Sequence, residues 1–283
     1  MGIMDKLAGV GVTIPATDPP AIAYSSYVRN EAHPFRMRRQ LIAQGKVSPL
    51  VSCLMVTRGD RWTIKYALDG YRRQTYQNRQ LIIVVDRKNY DSLSEIVIKN
   101  DMENVTIFAV DQDLTLGDCR NISIARAQGD ILIQWDDDDL YDPLRIAVSV
   151  SALMASDAAA ALLSRWLVWW PSRDLAAISG KRTWEGSIAL WREHAPVYPG
   201  RSHGEDTYVT ECLANTRSVT MIDAPLLYVY VVNGNNSFRA DHYNNIISCA
   251  DYVIRDREYD DMIQVLSGRV PISLYREEML RHA

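Results

Sequence analysis

Apolar residues occur along the first half of the chain in short runs that alternate with segments of helical spacing. The apolar runs are strand-sized and lie at Leu50–Val56, Leu81–Val85, Val105–Val110 and Ile131–Trp135. The helical segments lie at Trp62–Gln74, Leu93–Lys99 and Asn121–Gln128, with a fourth that runs from Asp142-Pro143 to about Met154. We expect Gly129 to end the third helix. This alternation predicts βαβ units and a largely parallel sheet.

The alternation weakens after residue 157. A long apolar stretch with three tryptophans spans Ala159–Trp170, a helix is predicted over Glu205–Leu213 and a strand over Leu226–Val232. The charge-dense segment 255–261 predicts the start of a mobile tail. No internal repeat is present in the sequence.

Composition narrows the function classes. The chain has 283 residues, of which 47% are hydrophobic and 23% charged, as in globular proteins with a substantial core. No apolar run approaches the roughly 20 residues of a membrane span, and no secretory signal is recognisable, which predicts a cytoplasmic protein. The net charge of −4 argues against nucleic acid as a partner. Four separate cysteines predict free thiols in a reducing compartment.

Residues 1–48 differ from the rest of the chain. They contain Pro15, Pro19, Pro20 and Pro34, and we predict an extended arm followed by a short helix over Arg36–Gln44 that Gly45 ends. Arginines at 36, 38 and 39 form a basic cluster. We favour a solvated helix face, with peripheral contact to a membrane surface as the alternative.

The strongest chemical signal is the run Asp136-Asp137-Asp138-Asp139, directly after an apolar strand. In open α/β sheets ligands bind beyond the carboxyl ends of the strands. Neighbouring carboxylates repel one another unless a cation or proton intervenes, and carboxylate oxygens suit Mg²⁺ or Mn²⁺. We favour a metal site over a solvated helix-capping turn, since Asp142 already fills the cap position. Asp86 ends another predicted strand at the same sheet edge, where it can bind a nucleotide base or ribose.

Five stretches, in order, resemble inverting family 2 glycosyltransferases of the GT-A fold. They are Val51–Arg58, Gln74–Asn78 with Leu81–Asp86, Gly117–Asn121 with Ala125, Ala127, Gly129 and Asp130, then Asp136–Leu140 with Pro143, and finally Glu205-Asp206. Together they span roughly residues 50–235. The resemblance implies a GT-A-type α/β/α sandwich with a mostly parallel central sheet, a nucleotide-sugar donor and a divalent cation.

The resemblance also implies roles for individual residues. It assigns nucleotide contacts to Thr57, Arg58, Asp86, Arg120, Asp136 and Asp137. Asp136 and Asp138 correspond to the metal-binding DxD pair, and Asp206, with Glu205 beside it, corresponds to the general base. These roles fit the chemistry, because a cation stabilises the leaving diphosphate while a carboxylate takes the acceptor's proton.

The sequence departs from the family pattern at two places. Arg87-Lys88 follow Asp86 where an acidic residue and a serine are common. The run Val232–Ser237 has asparagine where many members have histidine, and His242 downstream is a candidate substitute as a metal ligand, although a surface role is the more common one. Among the tryptophans of the second half, Trp184 lies in a polar stretch and is the candidate for stacking on an acceptor sugar.

We therefore expect an accessory arm over 1–48, a glycosyltransferase domain over 49–240 and a helical extension over 241–283. The domain would divide into a nucleotide-sugar half, 49–142, and an acceptor half, 143–240. The expected activity is metal-dependent, inverting transfer from a UDP-sugar to a glycan or glycoconjugate hydroxyl in surface polysaccharide synthesis. The alternatives are a nucleotidyltransferase, for which Thr57-Arg58-Gly59-Asp60 is a poor phosphate loop, and a non-catalytic glycan- or metal-binding relative.

Overall fold

A computed structural model describes residues 42, 44–59, 62–111 and 113–282. The predicted arm and most of the predicted helix over 36–44 lie outside this range. Ile42 is helical and buried in the main core. Gly45 follows with a φ of 68°, and its amide donates to the Ile42 carbonyl at 2.9 Å, as expected of a residue that ends a helix.

A seven-stranded mixed sheet forms the centre of the molecule. Its strands are β1 (Val51–Thr57), β2 (Arg79–Asp86), β3 (Val105–Val110), β4 (Ile131–Gln134), β6 (Ala160–Leu163), β9 (Trp184–Trp191) and β10 (Val219–Ile222), in the spatial order β10-β6-β9-β4-β1-β2-β3. Six of them are parallel to one another, and only β9 runs antiparallel to its neighbours. The predicted α/β fold with a mostly parallel sheet is confirmed.

A second sheet consists of five short strands, one of which directly follows the acidic run. It comprises β5 (Leu140–Tyr141), β7 (Leu167–Trp170), β8 (Leu175–Ile178), β11 (Tyr228–Val231) and β12 (Tyr252–Ile254), in the order β12-β8-β7-β11-β5. The apolar stretch Ala159–Trp170 thus supplies one strand to each sheet. Because β5 directly follows the acidic run, this sheet joins that run to the second half of the chain.

Eight helices pack on these sheets within the described ranges. They are α1 (Ile64–Arg72), α2 (Tyr90–Lys99), α3 (Leu116–Arg126), α4 (Arg145–Ala155), α5 (Glu205–Thr216), α6 (Ala240–Ser248), α7 (Asp256–Ser267) and α8 (Ile272–His282). None of the described helices combines the length and the apolar character that crossing a bilayer requires. All four cysteines are unpaired, as expected.

Helix α3 begins five residues before its predicted start. Thr115 caps it: its hydroxyl accepts from the Asp118 amide, and the Asp118 carboxylate accepts from the Thr115 amide, which is a capping box. The helix ends before Gly129, so the prediction that Gly129 terminates it is wrong. Gly129 instead lies against β1, where a Cβ would come within 2.5 Å of the Ser52 hydroxyl.

The predicted mobile tail after residue 255 is also wrong. Helices α7 and α8 form a hairpin whose Tyr259, Met262, Leu266 and Tyr275 are buried against β7, β8 and β11. Tyr66 of α1 packs into the same cluster and donates its hydroxyl to Glu278 at 2.7 Å. The dense charges of 255–261 occupy the outer face of an amphipathic helix.

Candidate active site

Three neighbouring parallel strands end at one edge of the large sheet. Strand β1 lies between β4 and β2, with Leu54 in register with Gln134 and Thr57 in register with Val85. The acidic run after β4, the end of β1 at Thr57 and the end of β2 at Asp86 therefore share this edge. With strands about 4.8 Å apart, the edge is wide enough for a nucleotide.

The four carboxylates of the acidic run alternate in burial. Asp136 and Asp138 are partly exposed, whereas Asp137 and Asp139 are buried. Burial of a carboxylate is costly unless hydrogen bonds satisfy it. The structure thus divides the run into two residues that can meet a ligand and two that are held by protein.

The buried pair fastens the run to its surroundings. Asp137 accepts a short hydrogen bond from the Thr57 hydroxyl at the end of β1. Asp139 accepts from the Tyr228 hydroxyl at 2.6 Å and from the Val231 amide at 2.8 Å, both on β11. Burial, followed by repulsion from Asp138 and Asp136, raises the pKa of Asp139 well above its ordinary value.

The partly exposed Asp136 is oriented by three side chains. Gln134 approaches both of its oxygens at 3.1–3.2 Å, Tyr228 donates at 3.1 Å, and the Arg120 guanidinium lies 3.5 Å away. The hydroxyl of Tyr141 holds the backbone of Asp136 through its amide and carbonyl. Asp136 is therefore fixed before any ligand arrives.

A buried arginine lies beneath these tyrosines. Arg145 of α4 is fully buried, with its guanidinium 5.0 Å from the Tyr228 ring and 5.8 Å from the Tyr141 ring. Its Nη2 donates to the Ser187 carbonyl at 3.0 Å. Burial lowers its pKa from the ordinary value, opposed by the tyrosines and Asp136. Sequence reasoning missed this residue, because nothing in the pattern of α4 marks it as buried.

Arg120 joins the acidic run to the start of α5. Its Nε donates to Glu205 Oε1 at 3.0 Å while its Nη2 faces Asp136. Burial alone would lower the pKa of Arg120, but the nearby acids, Asp136 foremost, outweigh burial and raise it. The guanidinium thus stays charged between the two predicted acidic motifs, and its predicted contact with nucleotide stays a prediction.

Glu205 and Asp206 differ in environment although they are adjacent. The Glu205 side chain is only 3% exposed and is engaged by Arg120. Asp206 is partly exposed, and one of its oxygens accepts from the Thr207 amide at 2.8 Å. Of the pair, Asp206 is the carboxylate that is accessible to solvent.

Two residues outside the predicted site complete it on the C-terminal side. The Asn236 side-chain amide donates to Asp138 at 3.2 Å and to the Val231 carbonyl at 2.9 Å. Tyr275 of α8 donates to the Asp138 carbonyl at 3.3 Å. The sequence analysis named Asn236 only as part of the run Val232–Ser237 and gave it no role, and Tyr275 lay in the expected tail.

His242 does not join the carboxylates. Its ring stacks on Phe238 at 4.2 Å between centroids, and burial, then the charge of Arg182, lowers its pKa. The described residues contain no group of three or more His, Cys, Asp or Glu side chains that could hold a metal ion. The predicted set of Asp136, Asp138 and His242 is therefore not assembled, because α6 directs His242 to an aromatic neighbour.

Trp184 is also placed differently from its predicted role. It is 4% exposed, stacks on Trp166 with 4.5 Å between ring centroids, and has the Arg182 guanidinium 4.5 Å from its ring centre. No open ring face remains for an acceptor sugar. Its polar sequence neighbours suggested exposure, but the strand they belong to, β9, lies inside the large sheet.

The carboxylates of Asp136 and Asp138 are suitable ligands for a divalent cation. Magnesium in phosphate-binding sites is held by one or two carboxylates together with substrate phosphates and water rather than by a complete protein cage. Two partly exposed carboxylates at a sheet edge match that pattern, so the absence of a three-residue group among the described residues is compatible with it. The predicted nucleotide contacts remain predictions for all six residues, namely Thr57, Arg58, Asp86, Arg120, Asp136 and Asp137.

Sequence comparison identifies the region that carries this site. Residues 52–180 match the family model "Glycosyl transferase family 2". A stretch of 106 residues is 32% identical to WcaA of Escherichia coli (strain K12), which is named as a colanic acid biosynthesis glycosyl transferase. The match covers 36% of this chain and 37% of that protein, so it spans little more than a third of the relative's length.

Structural comparison agrees on the fold. The S. aureus TarS fragment 1–349 aligns with a TM-score of 0.53 at 11% identity, over 70% of this chain and 69% of that one. The mannosyltransferase PcManGT of Pyrobaculum calidifontis, solved with GDP-Man and Mn²⁺, aligns with a TM-score of 0.52 at 15% identity, over 66% and 57%. These neighbours have the GT-A fold, so the predicted fold is confirmed, while the family assignment rests on the sequence match over residues 52–180. Residues 52–180 are thus a glycosyl transferase family 2 domain.

Proposed function

We propose that this protein transfers a sugar from a nucleoside-diphosphate sugar, with UDP as the favoured nucleotide, to a hydroxyl of a glycan or glycoconjugate. The observation that carries the proposal is the Arg120 guanidinium between Asp136 and Glu205. It couples the acidic edge of the sheet to the helix start that presents Asp206. The proposed donor-binding edge and the proposed base are thus linked through one guanidinium.

On the donor side, the chain supplies Asp136 and Asp138 for a divalent cation, Mn²⁺ or Mg²⁺. When bound, the cation would neutralise charge on the departing diphosphate. The protein's own part is orientation: Gln134 and Tyr228 hold Asp136, and Asn236 holds Asp138. Asp86, at the end of β2, is the proposed contact for the base or ribose.

On the acceptor side, Asp206 would act as general base. Its carboxylate takes the proton from the acceptor hydroxyl as that oxygen attacks the anomeric carbon. Glu205 cannot share this role while its carboxylate is buried against Arg120. Attack from the side opposite to the leaving diphosphate would invert the anomeric configuration.

The relatives favour this donor class and a role in polysaccharide synthesis. One TarS structure contains UDP-GlcNAc, with a TM-score of 0.53 at 13% identity over 77% of this chain and 66% of that one. WcaA is named for colanic acid biosynthesis. At these identities and coverages, they support a nucleotide-sugar donor and leave the sugar itself to experiment.

The test uses the full chain with UDP-GlcNAc, UDP-glucose and GDP-mannose, each with and without Mn²⁺. Calorimetry measures UDP and GDP binding, and release of the nucleoside diphosphate measures turnover. We expect metal-dependent binding of one nucleotide and slow donor hydrolysis by water. Absence of metal-dependent nucleotide binding across the panel would contradict the proposal.

A further inference from the structure

We infer that Phe238, backed by His242, is the aromatic platform on which the acceptor sugar stacks. This inference rests on the proposed function, because it assigns the acceptor subsite of the same site. It replaces the buried Trp184 with an accessible ring and commits to an acceptor class, a pyranose with an apolar C–H face.

The platform is accessible and ordered by its neighbours. Phe238 is 46% exposed, the only phenylalanine among the large exposed hydrophobics of the described chain. The His242 ring stacks on it with 17° between planes, and His203 meets it edge-on at 6.3 Å. An aromatic ring with one face supported and nearly half its surface open is arranged to receive a ligand on the remaining side.

Two sets of contacts place this platform between the acidic run and the start of α5. Asn236, two residues before Phe238, holds Asp138 on the donor side. His203, which touches Phe238, lies two residues before Glu205, whose partner Arg120 leads back to Asp136. Phe238 is thus two residues from a contact of Asp138 and touches a residue that lies just before the Glu205-Asp206 pair.

Polar groups continue the wall from the platform to the base. Arg182, whose charge acts on His242, binds Glu185 through two contacts of 2.6 Å. Glu185 in turn lies 3.4 Å from the hydroxyl of Thr207, next to Asp206. Sugar hydroxyls need such donors and acceptors beside an apolar surface, so this wall supplies the second half of a sugar subsite.

The test measures sugar contact directly, without knowing the natural acceptor. Saturation-transfer NMR is recorded with methyl β-D-glucopyranoside or methyl β-D-galactopyranoside, with UDP and diamagnetic Mg²⁺ present and glycerol as the non-stacking probe. We expect pyranoside signals in the wild type and about a tenfold loss in Phe238→Ala and Phe238→Leu, because leucine keeps bulk without a π-face. Phe238→Tyr should keep the signal.

Ile98→Ala is the matched control, since Ile98 is an exposed apolar residue on α2, a helix that contributes no residue to the site. Calorimetric UDP affinity reports that each variant is folded and binds donor. Equal signals in the wild type and Phe238→Ala, or no pyranoside signal from a wild type that binds UDP, would overturn the platform while leaving the proposed function intact. Failure of the wild type to bind any nucleotide would overturn the proposed function first.

Discussion

Arg120 and Glu205 form an ion pair at 3.0 Å in which both side chains are at least 90% buried. Removal of one partner from such a pair leaves an uncompensated charge and costs about 3–5 kcal/mol. The pair therefore contributes to the stability of the fold. We expect substitution of Glu205 to change stability and substitution of Asp206 to change the transfer rate.

Asp206→Asn should keep UDP affinity and lose transfer, because the amide nearly preserves shape but cannot accept the proton. The expected loss is about 10²–10⁴-fold in the transfer rate. Glu205→Gln should instead lower the thermal unfolding temperature, since a neutral amide cannot compensate Arg120. Both variants are measured for thermal unfolding and for transfer. A Glu205→Gln enzyme that is stable but inactive, beside an active Asp206→Asn enzyme, would assign the general base to Glu205 instead.

Asp138→Asn should abolish the metal-dependent part of UDP binding, because it removes one of two exposed carboxylates of the acidic run. Calorimetry with UDP, with and without Mn²⁺, measures the difference. Asp241→Asn, at an exposed position on α6, is the charge-matched control and should bind as the wild type does. His242→Ala should also retain metal-dependent binding, and its loss there would restore His242 as a ligand.

Tyr228→Phe should destabilise the acidic run. The hydroxyl donates to Asp139 at 2.6 Å and lies 3.1 Å from Asp136, and a buried carboxylate that loses a donor costs about 1–3 kcal/mol. Denaturant unfolding of the metal-free protein measures this loss. Tyr230→Phe on the same strand is the control, because the Tyr230 hydroxyl has only a 3.5 Å contact with Tyr243. Equal stabilities of the two variants would refute the anchoring role.

Arg269→Met should destabilise the protein far more than Arg276→Met. Arg269 pairs at 2.5 Å with Asp142, whose side chain is 1% exposed, so its removal leaves a buried carboxylate unpaired at a cost of about 3–5 kcal/mol. Arg276 pairs with the exposed Asp174, and such surface pairs contribute at most about 1 kcal/mol. Thermal unfolding of both variants gives the comparison, and similar losses would contradict it.

Strands β1 to β4 of the large sheet could be predicted because each is a continuous apolar run, whereas β6 lay inside a longer apolar stretch and β10 was not predicted. Strand β9 could not be predicted, since Glu185, Gly186 and Ser187 interrupt its pattern. Its identity depends on pairing with β4 and β6, which are distant in sequence. The turn between β7 and β8 left a signal in the sequence, because Pro171 directly follows the apolar stretch that ends at Trp170.

For the site, the sequence located the acidic run but did not show which of its carboxylates are buried and which are accessible. Which carboxylates are buried depends on Thr57 and Tyr228, which are 80 and 89 residues away from their partners. The prediction of a mobile tail was wrong because it relied on the dense charges of 255–261 and neglected the helical spacing of the apolar residues there. Tyr259, Met262 and Leu266 recur at the spacing of a buried helix face.

The contact between Tyr275 and Asp138 spans 137 residues of chain. At roughly 5–20 residues per second, a ribosome needs about 7–27 s to synthesise that interval. During this time the carboxylates of the acidic run exist without the helical hairpin that covers them. A nascent chain can therefore pair strands β1 to β4 early, yet the acidic run acquires its final contacts only after residue 275 has been synthesised.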